Sequence, residues 1–156
     1  MIEIDQLIAI VETAIASFGI DPATCRSEKK GQWDLKKGKA QVWIDIWSFD
    51  QKDGTHYYYV QVLSPVLNLD MAKNKPALFE ECLGINQQLY GAAFSIMKNW
   101  LYLRVIREAE GMDKNEMAAM LNRVGNYSDL EGMEIALKYG GEDPPPGGWT
   151  GGNKAS

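Results

Sequence analysis

The chain has 156 residues, a net charge of −5 and a pI near 4.9, a size that suits one domain burying roughly 70% of the surface its unfolded form exposes. Its acidity argues against nucleic acid or an anionic membrane as a partner, because phosphates are bound chiefly by clustered Lys and Arg. Two distant cysteines, Cys25 and Cys82, and a single histidine leave no metal-ligand spacing, so no metal or other cofactor is expected.

Ile4, Leu7, Ile8, Val11, Ile15 and Phe18 recur at helical spacing, which predicts an amphipathic helix over 4–18 ended by Gly19. The start at Met1 has no basic n-region, and no apolar run approaches the ~18 residues of a membrane span, so the expected location is the cytoplasm. A turn at Asp21-Pro22 leads to a weaker strand over 32–36, in which Trp33 and Leu35 alternate with polar residues. The basic run of Lys29, Lys30, Lys36, Lys37 and Lys39 reads as a solvated loop and strand edge.

The clearest strand signals cover 40–49 and 55–63, joined by a loop over 50–54 whose Asp53-Gly54 step marks a hairpin. With that loop unpaired, Val42, Ile44 and Ile46 face Val62, Val60 and Tyr58. The other face then gathers Trp43, Asp45, Trp47 and Phe49 with Tyr57, Tyr59 and Gln61. After Ser64-Pro65 the strand pattern stops. Pro76 suits a first helical turn, and Leu78, Phe79, Cys82, Ile85 and Leu89 extend a second helix to about Tyr90, with Gly84 inside it suggesting close approach of a neighbour.

Gly91 is placed to stop that helix, and Lys98-Asn99 supplies a two-residue turn between strands over 92–97 and 100–107. Met97 then faces Trp100, Ile96 faces Leu101, Phe94 faces Leu103 and Ala92 faces Val105, so one face of the ribbon is expected to be wholly apolar. Ser95, Tyr102, Ala93 and Arg104 occupy the other. Asp113 and Glu116 form a capping box, with Met112 and Met117 as the staple, at the start of a third helix. Met117, Met120, Leu121, Val124, Tyr127 and Ile135 carry its stripe, Gly125 and Gly132 allow a kink, and Gly140-Gly141 end it. Residues 142–156 read as a flexible Gly/Pro-rich tail with Trp149 as its one distinctive residue.

The expected fold class is therefore α+β: one domain over 1–141, an antiparallel sheet of about five strands with helices packed on it, in the order α-β-β-β-α-β-β-α. No phosphate loop or catalytic motif is present, and His56, at a hairpin end beside three tyrosines, reads as a structural strand residue. Asp45 stands between Trp43 and Trp47 on one strand face, a carboxylate among aromatic rings. Its expected cross-strand neighbour is Tyr59, so a hydrogen bond to a hydroxyl or a charge that limits edge aggregation is the better reading.

The aromatic face is the candidate partner-binding site, made of Trp43, Asp45, Trp47, Phe49, Tyr57 and Tyr59. Two arrangements fit it: helices cover both sides of the sheet and the rings are core, or one side is left open as a surface for a protein, a peptide segment or a second copy. Strand addition at an unpaired sheet edge is a further route to a client. The alternative function is a small-molecule binder or enzyme with Asp45, His56 and Arg104 around a pocket between sheet and helices.

Over Leu78 to Val124 the chain carries Asn86-Gln-Gln-Leu89, Gly91-Ala-Ala-Phe94, the Lys98-Asn99 turn, Trp100-Leu-Tyr-Leu-Arg104 and Glu110-Gly-Met-Asp113. This succession resembles the YbjN family, and the element order resembles the chaperone-like fold it shares with type III secretion chaperones. The resemblance implies a small acidic cytoplasmic protein that often dimerises, and the secretion chaperones hold an extended client segment along an apolar surface. Non-enzymatic protein binding is the function it leads one to expect.

Overall fold

The computed structural model describes residues 1–140 and 149–151. Its elements are α1 (Ile4–Ser17), β1 (Gln32–Lys37), β2 (Ala40–Asp50), β3 (His56–Asn68), α2 (Lys75–Asn86), β4 (Ala93–Met97), β5 (Trp100–Glu108), α3 (Lys114–Tyr127), α4 (Met133–Gly140) and β6 (Trp149–Gly151). The class is α+β with the expected order of helices and strands. The strands form one sheet in the order β4-β5-β3-β2-β1-β6, with every neighbouring pair antiparallel.

All the helices lie on one face. Leu7, Val11 and Ile15 of α1 and Met117, Leu121 and Val124 of α3 are buried with Trp33, Leu35, Val42, Ile44, Val60 and Val62 of the sheet. A second cluster joins Leu78 and Cys82 of α2 and Ile135 and Tyr139 of α4 to Leu67, Phe94, Leu101 and Leu103. Across the register, these strand residues fall on the same side, because successive side chains alternate. The α3–α4 junction is a π-turn over Ser128–Gly132. There Ser128 donates to Ser64 Oγ at 2.5 Å while Ser64 donates to the Gln41 carbonyl at 2.5 Å, tying the kink to two strands. A Cβ at Gly132 would stand 3.2 Å from Ser128 Oγ, so the small residue lets the turn close on β3 and β5.

The β4–β5 hairpin has the predicted register, Met97 opposite Trp100 through Phe94 opposite Leu103, and Lys98 and Asn99 take φ of 47° and 66°, as a two-residue turn matched to strand twist demands. Alternation, however, puts the exposed Met97 and Trp100 on the face of Ser95 and Tyr102, and not with the buried Phe94 and Leu103. In the β2–β3 hairpin the unpaired loop is Gln51–Thr55 in place of 50–54, since Asp50 pairs with His56. Ile44 thus faces Val62, Ile46 faces Val60 and Trp47 faces Tyr59. That slip of two positions keeps each side chain on its expected face.

Three further expectations are corrected. The strand does not stop at Pro65: β3 runs on to Asn68 because a register shift between Pro65 and Leu67 absorbs the missing N–H. Helix α2 ends at Asn86, short of Tyr90 and Gly91, and Gly84 meets nothing within 4 Å of where a Cβ would stand. Of the segment read as a tail, Trp149–Gly151 pairs with Leu35–Lys37 as a sixth strand; residues 141–148 and 152–156 lie outside the described residues.

Candidate functional site on the open face of the sheet

The alternation that sends Ile44 and Ile46 under the helices sends Trp43, Asp45, Trp47 and Phe49 to the other side of β2, where no described helix packs. Tyr59 and Tyr57 stand directly across from Trp47 and Phe49. The Trp47 and Tyr59 rings stack at 4.9 Å, Phe49 and Tyr59 at 5.3 Å, and Phe49 and Tyr57 at 6.1 Å. Trp47 nevertheless keeps 37% of its surface in solvent and Phe49 keeps 39%. Withdrawal from water and the adjacent Glu108 carboxylate push the Tyr59 phenol above its ordinary pKa.

A polar band crosses the middle of this face. Gln32 donates to Asp45 Oδ1 at 3.0 Å, Gln61 donates to Asp45 Oδ2 at 3.1 Å, and Arg104 Nε donates to Gln61 Oε1 at 2.8 Å. Asp45 therefore faces Gln61 and not Tyr59, and each of its oxygens is engaged by an amide. Arg104 joins it on the same face through Gln61, while His56 is carried by alternation to the opposite face, where it contacts Asp50 and meets Tyr58 edge-on. The three polar residues of the pocket reading are thus not brought together.

Trp43 sits beyond the band, tilted against Tyr102 with centroids 6.2 Å apart. Asp34 lies directly across from it on β1, and burial raises the Asp34 carboxyl pKa. Asp34 was not singled out from the sequence, although the alternation of Trp33 and Leu35 already assigned it to this side.

Part of the β4 edge and the outer side of β1 are engaged by the chain itself. At β4, Phe94 donates its N–H to Asn86 Oδ1 at 2.6 Å and its carbonyl accepts from Asn86 Nδ2 at 3.2 Å, so one amide side chain takes the place of a neighbouring strand. On the outer side of β1, Asp34 N–H bonds the Cys25 carbonyl, Ser27 N–H bonds the Gln32 carbonyl, and β6 pairs with the remaining residues.

Among the described residues no group of three or more His, Cys, Asp or Glu is placed to hold a metal, and no helix is long and apolar enough to cross a membrane. Both thiols are buried, and burial pushes Cys82 up to about 11. No protein-family model matches the chain, and no curated protein does.

Proposed function

We propose that this protein is a non-enzymatic binding domain, chaperone-like or regulatory, that holds a client segment or a second copy of itself against the open aromatic face. The observation that carries the reading is the cluster of Trp47, Phe49, Tyr57 and Tyr59: four stacked rings with Trp47 and Phe49 more than a third exposed, on a sheet whose other face takes the whole described helix layer. Tryptophan and tyrosine combine a large apolar contact with little side-chain entropy to lose, which is why they concentrate at binding hot spots. The resemblance of 78–124 to the YbjN family supports the same reading, with action in the cytoplasm and without a cofactor.

The test compares wild type, Trp47→Ser and, as a control on the exposed side of α2, Leu83→Ser, each first shown folded by circular dichroism. The expected result is a partner captured by wild type and by Leu83→Ser but lost with Trp47→Ser, or a dimer by light scattering that only Trp47→Ser dissociates. Identical capture and identical mass for all three proteins overturn the proposal.

A further inference from the structure

A second concavity lies at the far end of the sheet, away from the four stacked rings. Its volume is about 710 Å³, inside the range of roughly 300–1,000 Å³ typical of small-molecule sites. Trp43, Trp100 and Tyr102 of the sheet line it together with Met133 and Ala136 of α4. Pro65 and Val66 also line it, where the β3 register shifts, a distortion of the kind that re-aims side chains beside binding sites.

Among the described residues, the charged side chains lining this cleft are those of Lys36 and Lys39. Neither belongs to an ion pair among the described residues, whereas Lys37 between them turns to the other face and pairs with Asp129 at 3.1 Å. A separate hollow of about 320 Å³ that also borders Trp43 is lined by Asp34 and Asp45. Trp43 therefore borders both the acidic notch and the ring-walled cleft, and Asp34 and Lys36 meet in a third hollow beside it, in a chain whose net charge is −5. An anion is favoured beside Lys36 and Lys39 and disfavoured beside Asp34 and Asp45.

We infer that this cleft binds a small monocarboxylate with an apolar body, its carboxylate between Lys36 and Lys39 and its hydrocarbon or aromatic part against Trp43, Trp100 and Tyr102. Charge-assisted hydrogen bonds from the lysines orient the head, and desolvation of the rings supplies the driving force for the body. Polyphosphate ligands fit less well, because among the described residues no glycine-rich helix N-terminus lines the cleft. The assignment does not rest on the function proposed above and uses different side chains.

The test is titration of the full chain with octanoate, with octan-1-ol as the uncharged control, read from the indole N–H signals of Trp43 and Trp100 by NMR. Saturable shifts with octanoate are expected, weakened on the order of tenfold or more in the Lys36→Gln/Lys39→Gln double variant and unchanged in Trp47→Ser. The spectrum of each variant reports its own folding. No saturable shift at low-millimolar octanoate, equal binding of the alcohol, or binding unaltered by the double substitution each overturns the assignment.

Discussion

Ile46 and Trp47 are neighbours on β2, both large and apolar, yet Ile46 is 6% exposed and Trp47 is 37% exposed. The contrast runs the length of the hairpin. Val42, Ile44, Val60 and Val62 on one side are aliphatic and closed off by α1 and α3; Trp47, Phe49, Tyr57 and Tyr59 on the other stack on one another. Apolar character alone does not decide burial. Branched aliphatic side chains leave a shallow, even surface on which helices settle, while the rings satisfy part of their own contact by stacking and carry polar tips that remain wet.

This difference between the faces is open to direct challenge by substitution. Leu121→Ala, beneath the helix layer at 0% exposed, is expected to cost about 2–5 kcal/mol, measured by urea unfolding, because it leaves a cavity that close-packed neighbours fill incompletely. A cost under about 1 kcal/mol there would mean that the helices sit loosely on the sheet. Asn86→Ala removes both hydrogen bonds that occupy the Phe94 backbone and is expected to cost about 1–3 kcal/mol. The same variant uncovers the β4 edge, so light scattering should rise with concentration where wild type stays constant.

Trp47→Ser is expected to cost only about 1 kcal/mol in stability, the scale of one aromatic pair, while changing partner capture strongly. Stability loss comparable to Leu121→Ala would show that the open face is structural. The thiols offer a probe that leaves the sequence intact. Cys25 and Cys82, at 0% and 4% exposed and with burial raising both pKa values, should resist iodoacetamide in the native state and react after unfolding.

The smallest effect concerns Glu12, which accepts two hydrogen bonds from Arg26, at 2.6 and 2.9 Å, and one from the Trp33 indole at 3.2 Å. The Arg26 bonds lower its pKa against the opposing effect of burial. A depressed folded pKa contributes stability that is complete above the unfolded value near ~4.3 and is lost as pH falls through the folded one. Thermal melts should therefore place Glu12→Gln slightly below wild type at neutral pH, with the gap closing below about pH 4.

Much of the architecture was determined by the sequence itself, because the signals concerned are local. The Lys98-Asn99 turn, the Asp113 and Glu116 capping box and the period-two sorting of 40–63 each depend on a few neighbouring residues, and each is present in the fold. The sorting even survived a register slip of two, since alternation is unchanged by an even shift. Tertiary structure decided the rest. Whether helices cover one face or both depends on where α1 to α4 return to the sheet, and no window of sequence contains that distance. Pro65 stops a strand by local rules, yet here a bulge between paired neighbours carries β3 past it. Asn86 reads as a helix end, and only the approach of β4 makes its amide a substitute strand. Asp34, Asp45, Gln61 and Arg104 stand on four different strands, so the polar band and the acidic notch beside Trp43 come into being only when the sheet aligns them.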